Sequence, residues 1–280
     1  MKMIKYIGGC VLAGLLLTFV SCDTIKEQDR KVLFTGSISG ERTVLLEEFT
    51  GVRCVNCPIA ANEAHKLQEF FGENLIVVSL FPQTPTGLTD IAPGDPDVRT
   101  EEAEAYAREF NVDQFPNGMV NRQSVLAWES WGGAVAEVVS GGDNYASMTM
   151  SVALDEEELQ VSLSGRFEQE YKSAGVINVI VMVLGDSIVT RQLGATNPAA
   201  HVQNHVLITT LSDVWGDRVA SSSPSAGTEF SAAYHTSIDP LLLELRDNKK
   251  LSVDKLTVVA ALVDAGSKEV LQAVQVHLKK

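Results

Sequence analysis

The chain has 280 residues, with 36 Asp and Glu against 22 Lys and Arg and a formal charge of −14. So acidic a surface repels phosphate backbones and anionic lipid, which argues against nucleic-acid binding. The length suits two domains of ordinary size, and an apolar fraction of 45% lets each bury a core. Residues 1–22 open with Lys2 and Lys5, run through an apolar stretch from Val11 to Val20 and end in small or polar residues before Cys22. That stretch is short and a polar chain follows it, the pattern of an export signal rather than a membrane span. Its removal takes away two lysines and no acid, so the mature chain is more acidic still.

Phe19-Val20-Ser21-Cys22 resembles the lipobox of bacterial lipoproteins, which implies that Cys22 becomes the lipid-modified first residue of the mature chain. The other reading is a stray cysteine beside an ordinary cleavage site. Cys10 lies inside the signal and leaves with it. Of four cysteines, only Cys54 and Cys57 then remain as a pair, and in an oxidising compartment such a pair tends toward a disulfide.

Residues 23–41 are polar, lack periodicity beyond Val32-Leu33-Phe34 and read as a tether. Thr43–Phe49 predicts a buried strand, with Thr50-Gly51 turning out of it. From Cys57 onward, Cys57, Ala60, Ala64, Leu67 and Phe71 recur at helical spacing, Pro58 suits a first turn, and Gly72 suits the stop. This places Cys57 on the buried side of the helix and Cys54 at an exposed tip. Leu75–Phe81 predicts a second strand, parallel to the first. Pro82–Asp97, with four prolines, reads as an inserted surface loop. Arg99–Phe110 predicts a helix, Met119–Asn121 and Ser124–Trp128 an edge hairpin, and Trp131–Val139 a last helix before Gly141-Gly142. From residue 143 onward the pattern is of short strands: Ser147–Leu154, Leu159–Phe167, Val176–Leu184, Val202–Leu211, Glu229–Ile238, Leu256–Val263 and Val270–Leu278. These argue for an antiparallel sandwich. The expected organisation is a signal at 1–22, a tether at 23–41, an α/β domain at 42–142 and an all-β domain at 143–280.

The Cys54/Cys57 pair at a strand-to-helix turn is the strongest candidate site. Free N–H groups at a helix start stabilise a thiolate, and the Arg53 guanidinium adds to this. Cys54 is then the attacking sulfur and Cys57 the resolving thiol. Glu48, in the strand just before the turn, is the candidate proton acceptor, because burial raises a carboxyl pKa toward neutrality. The competing reading is an inert disulfide, although a loop of so few residues removes little unfolded-state entropy. A zinc site would need two further ligands, and His65 lies too far along the helix to be one, so no metal and no cofactor is expected.

Other motifs are weaker. Gly185-Asp186-Ser187-Ile188 resembles the nucleophile block of GDSL-type esterases, but no later histidine has Asp three residues before it, and a polar turn is the better account. His201 and His205 have no carboxylate or cysteine near them in sequence and read as capped or core histidines. Trp128, Trp131 and Trp215 read as core or edge residues, and Asp155–Glu158 as a solvated turn.

Strand, C-x-x-C, helix, strand, helix and then Phe115-Pro116 opening a strand resembles the thioredoxin fold. That resemblance implies a cis peptide at Pro116, lying against the cysteine pair and shaping a groove for substrate backbone, and a buried acid six residues before the first cysteine, which Glu48 matches. Arg53 stands where thioredoxins carry Trp, and Val55-Asn56 where they carry Gly-Pro. Over most of the mature chain, Glu47-Glu48-Phe49-Thr50-Gly51, Cys54-Val55-Asn56-Cys57-Pro58 and Asn204-His205-Val206-Leu207 resemble the Omp28-related outer-membrane lipoproteins of Gram-negative anaerobes. This implies a thioredoxin-like domain, a C-terminal β-sandwich and a lipid-anchored place in the outer membrane. Two functions follow as expectations. One is thiol-disulfide exchange with envelope protein thiols or disulfides. The other is a non-enzymatic surface role in which the sandwich binds a protein or glycan.

Overall fold

The computed structural model describes residues 32–38, 42–83, 87–141, 143–155 and 157–279, all within one compact unit. The signal segment 1–22, Cys22 and most of the tether lie outside the described residues. Strand β1 (Val32–Ile38) is the first element. It takes up residues that the sequence assigns to the tether, because its whole length pairs antiparallel with a later strand, from Val32↔Leu154 to Ile38↔Met148.

Strand β2 (Val44–Phe49), helix α1 (Cys57–Phe71) and strand β3 (Leu75–Leu80) follow, and every residue of both strands is buried. That explains their near-continuous apolar runs, since each strand is covered on both faces. β2 and β3 are parallel from Val44↔Leu75 to Phe49↔Leu80. On one face Val44, Leu46 and Val77 pack with Ala60, Ala64 and Leu67 of α1 and with Trp131 and Val135. On the other, Leu45, Phe49 and Val78 pack with Ala103, Tyr106 and Ala107.

Those last residues belong to helix α2 (Glu101–Glu109), which Thr100 caps by accepting from the Ala103 N–H at 3.1 Å. The cap explains why the helix starts later than Arg99, which pairs with Asp97 instead. Strands β4 (Asn117–Val120) and β5 (Val125–Ala127) form the expected hairpin on β2, and helix α3 (Trp131–Ser140) carries Trp131 and Val135.

The strands after residue 143 are β6 (Ala146–Asp155), β7 (Glu158–Phe167), β8 (Ile177–Gly185), β9 (Ile188–Thr190), β10 (His201–Gln203), β11 (Val206–Thr210), β12 (Asp217–Ala220), β13 (Glu229–Ser237), β14 (Leu256–Asp264) and β15 (Val270–His277). The protein is mostly β, with mixed and antiparallel sheets and a few helices. One antiparallel sheet runs β1-β6-β7-β13; a mixed sheet runs β15-β14-β8-β11-β3-β2-β4-β5, with β12 paired to β8; β9 and β10 make a two-stranded ribbon. Met148, Met150, Val161 and Leu163 of the first sheet bury against Val179, Val181, Val258 and Ala260 of the second.

The later strands therefore pack as two layers, but they are not all antiparallel and do not close on themselves. β11 lies parallel to β3 at Val206↔Ser79 and antiparallel to β8, so strands from both sides of residue 142 share one hydrogen-bonded sheet. Strand patterning identifies the strands; which edge of β3 stays open for β11 is decided by packing.

Candidate functional site

The site is built at the point where β2 leaves the sheet. The Thr50 N–H donates to the Leu80 carbonyl at 2.9 Å, and the Cys54 N–H closes a tight turn on the Gly51 carbonyl at 3.0 Å. The Asn56 carbonyl accepts from the Ile59 N–H at 3.0 Å, which starts α1 at Cys57 with Pro58 in its first turn. Cys54 and Cys57 are joined as a disulfide, with Cα atoms 5.4 Å apart.

Only one of the two cysteines is placed as the spacing suggests. Cys57 is 2% exposed, but Cys54 is also buried, at 4%. Its cover comes from two segments that local periodicity cannot connect with it. The Pro-rich loop, expected on the surface, packs against the turn: the Arg53 N–H donates to the Leu88 carbonyl at 2.8 Å, while Thr89 and Val98 are buried. The connection between β9 and β10 also packs on the turn, with the Leu193 N–H donating to the Val52 carbonyl at 2.9 Å. The Arg53 side chain is turned toward the loop, where its Nε donates to the Asp90 carbonyl at 3.0 Å.

Glu48 lies on the same face of β2 as Val44 and Leu46, the face that α1 covers, and is 5% exposed. The Ser79 Oγ is 2.6 Å from Glu48 Oε1 and 3.0 Å from the Asn204 carbonyl oxygen. One hydroxyl hydrogen serves one acceptor at a time. If Glu48 is protonated it donates to Ser79, which donates on to Asn204, and both contacts are satisfied. Burial pushes the Glu48 carboxyl up from its ordinary 4.5 to about 7, and the Ser79 hydrogen bond only partly offsets this.

Beside Glu48 lies a cavity of about 220 Å³ between α1 and the β10–β11 segment, lined among others by Ser79, Asn62, His65, His201 and His205. Sequence reasoning set the last two histidines aside, because only the β11–β3 pairing brings them to Glu48. Burial lowers the pKa of both, and for His205 the Asp186 carboxylate works in the opposite direction. His65 is exposed and 3.5 Å from Glu69, one helical turn on. Among the described residues no group of three or more His, Cys, Asp or Glu is placed to hold a metal ion.

The Phe115–Pro116 peptide is cis. Asn117 is the partner of Phe49, so Pro116 stands beside Thr50 at the end of the sheet that carries the cysteine turn. The Glu47 side chain faces the other way, toward α2. It accepts from Arg122 Nε at 2.7 Å and Nη2 at 2.6 Å, and the guanidinium stacks 4.3 Å from the Tyr106 ring. Gly185 ends β8 and Ile188 starts β9, so the Asp186-Ser187 pair between them is a turn. In it, Asp186 accepts from the His205 N–H at 2.8 Å and the Ser187 N–H donates to Asn204. Trp131 is fully buried, and Trp215 packs edge-on against Tyr106.

The fold resembles HBP35 of Porphyromonas gingivalis at 16% identity and a TM-score of 0.63, over 85% of this chain and 75% of that one. It also resembles protein AGR_C_4864 from Agrobacterium tumefaciens, at 12% identity and a TM-score of 0.52, over 87% of this chain and 97% of that one. A domain of the outer membrane lipoprotein Omp28 from Porphyromonas gingivalis aligns at 18% identity over 44% of this chain and 78% of its own length, with a TM-score of 0.29. No curated protein matches the chain. Among the described residues no helix is long and apolar enough to cross a membrane. The family model for "Outer membrane protein Omp28" matches residues 103–280, well over half of the sequence, and the chain belongs to the Omp28 family of outer membrane proteins.

Proposed function

We propose that this outer membrane protein is lipid-anchored through Cys22, with residues 42–142 forming a thioredoxin-like domain that exchanges disulfides with envelope proteins through Cys54 and Cys57. The observation that carries this reading is a cysteine pair bonded at the first residue of α1, with Glu48, its pKa near 7, on the sheet face that α1 covers. The parallel β2–α1–β3 unit, the antiparallel β4–β5 hairpin and Pro116 beside Thr50 support it. In this reading an incoming thiolate attacks Cys54, Cys57 leaves as a thiolate stabilised by the N–H groups at the helix start, and Glu48 exchanges the proton that Cys57 gains or loses. Residues 143–280 supply most strands of the two packed layers, with β1 and β2–β5 extending them, and are the part open to a surface ligand in this reading.

A redox titration of the pair together with capture by Cys57→Ser tests the reading. The expected result is a potential above the structural range, which lies below about −300 mV, with mixed disulfides trapped on Cys54. No trapped partner and a potential inside the structural range would sink it. The burial of both sulfurs favours a second reading, a non-enzymatic surface protein on the same scaffold. It predicts that the double variant Cys54→Ser, Cys57→Ser leaves growth and surface binding unchanged, and a defect in envelope disulfide balance in that strain would overturn it.

A further inference from the structure

The strap between β9 and β10 is fitted to the cysteine turn by more than contact. Gln192 is 2% exposed, and its Nε2 lies 2.9 Å from the Cys54 carbonyl oxygen and 3.1 Å from that of Gly51. Its Oε1 accepts from Gln203 Nε2 at 3.0 Å, and the same nitrogen is 3.0 Å from Thr190 Oγ1, so the strap is tied back to both strands of its own ribbon. Gly194, at φ +78, rests on the turn so closely that a Cβ there would overlap the Val55 carbonyl oxygen. Val55 and Leu193, next to these contacts, stay largely exposed. The strap therefore packs its backbone and one buried amide on the carbonyls of the turn in which Cys54 and Cys57 are buried, while leaving apolar side chains outside.

Thiol–disulfide exchange needs a sulfur to approach along the S–S axis, and access is one of the factors that set its rate. We propose that residues 191–195 are a latch over the Cys54–Cys57 bond, with Gln192 as its positioning residue, and that a thiol reaches the pair only after the strap lifts. The proposal rests on the exchange reading above and adds its regulation. With dithiothreitol as reductant, one thiolate bonds to the Cys54 sulfur and the Cys54–Cys57 bond breaks, its electron pair leaving on Cys57. The second dithiothreitol thiolate then displaces Cys54. The protein gains two thiols, and the reagent is oxidised to its cyclic disulfide.

The test is reduction of the purified full chain over a wide range of dithiothreitol concentrations at constant pH, quenched by alkylation and read by mass. A latch makes the observed rate level off at the rate of strap opening. Gln192→Ala, which removes both N–H donors, should raise the plateau at least tenfold or abolish it, with the denatured chains of both proteins reacting at equal rates. A rate linear in reductant in the wild type, or a plateau unmoved by Gln192→Ala in a folded variant, overturns the latch. Should the variant not fold, the wild-type dependence decides alone. A plateau combined with a structural-range potential and no trapped partner keeps the latch and removes the exchange reading; a linear rate with trapped partners does the reverse.

Discussion

Glu48→Gln isolates the ionisation of a single buried group. The folded-state pKa of Glu48, about 7, lies above its ordinary 4.5, so the folded chain holds this proton more tightly than the unfolded one. Below pH 4.5 both states are protonated and the residue costs nothing. Between 4.5 and 7 the unfolded chain ionises first and stability falls as pH rises, and above 7 the penalty is constant. At ~1.36 kcal/mol per pH unit over that interval, the loss amounts to about 3 kcal/mol. A glutamine amide can donate to Ser79 as the protonated acid does, so the Ser79–Asn204 relay survives the substitution. Urea unfolding of both proteins at several values from pH 4 to pH 8 measures the difference. The variant should match the wild type near pH 4 and exceed it by about 3 kcal/mol at pH 8, the other titrating groups cancelling between the two. Parallel profiles across the range would refute both the burial of a charge at Glu48 and its role as a group poised near neutrality.

Two further outcomes follow from the packing around the site. Glu47→Gln leaves the Arg122 guanidinium, buried with its partner at 1% and 0% side-chain exposure, without a counter-charge. The expected cost is about 3–5 kcal/mol in urea unfolding, and a loss under about 1 kcal/mol would mean that the pair is solvated. Thr100→Ala removes the cap of α2 and should cost about 1 kcal/mol, while Thr100→Ser keeps an oxygen for the Ala103 N–H; equal losses in the two variants would show that the cap contributes nothing.

The elements near the cysteines were legible because their signals are local. A run of apolar residues marks β2 and β3, a stripe at helical spacing marks α1, and the β-rich runs Ser147–Leu154 and Leu159–Phe167 mark two strands whether or not their partners are known. Glu48 was legible as well, because an acid within a buried strand is chemically conspicuous. What escaped, apart from Pro116, which the thioredoxin resemblance supplied, was what reaches the site across sequence distance. Leu88 and Leu193 touch the turn from segments about 35 and 140 residues further along the chain, and neither segment has a period that points to the cysteines.

The amino-acid sequence by itself determined most of the longer strands, the helices α1 to α3, the candidate pair and the acid behind it, since each depends on which residues neighbour one another along the chain; β1, β9 and β12 escaped it. Only the tertiary structure decided that β11 joins β3, that Asn204, His201 and His205 come to stand beside Glu48, and that Cys54 lies beneath a strap instead of at an exposed tip. The physical reason is that an open strand edge and a bare turn can be covered by any segment of suitable shape. The choice among segments is made by the burial and hydrogen bonding of the whole molecule, which no local pattern records.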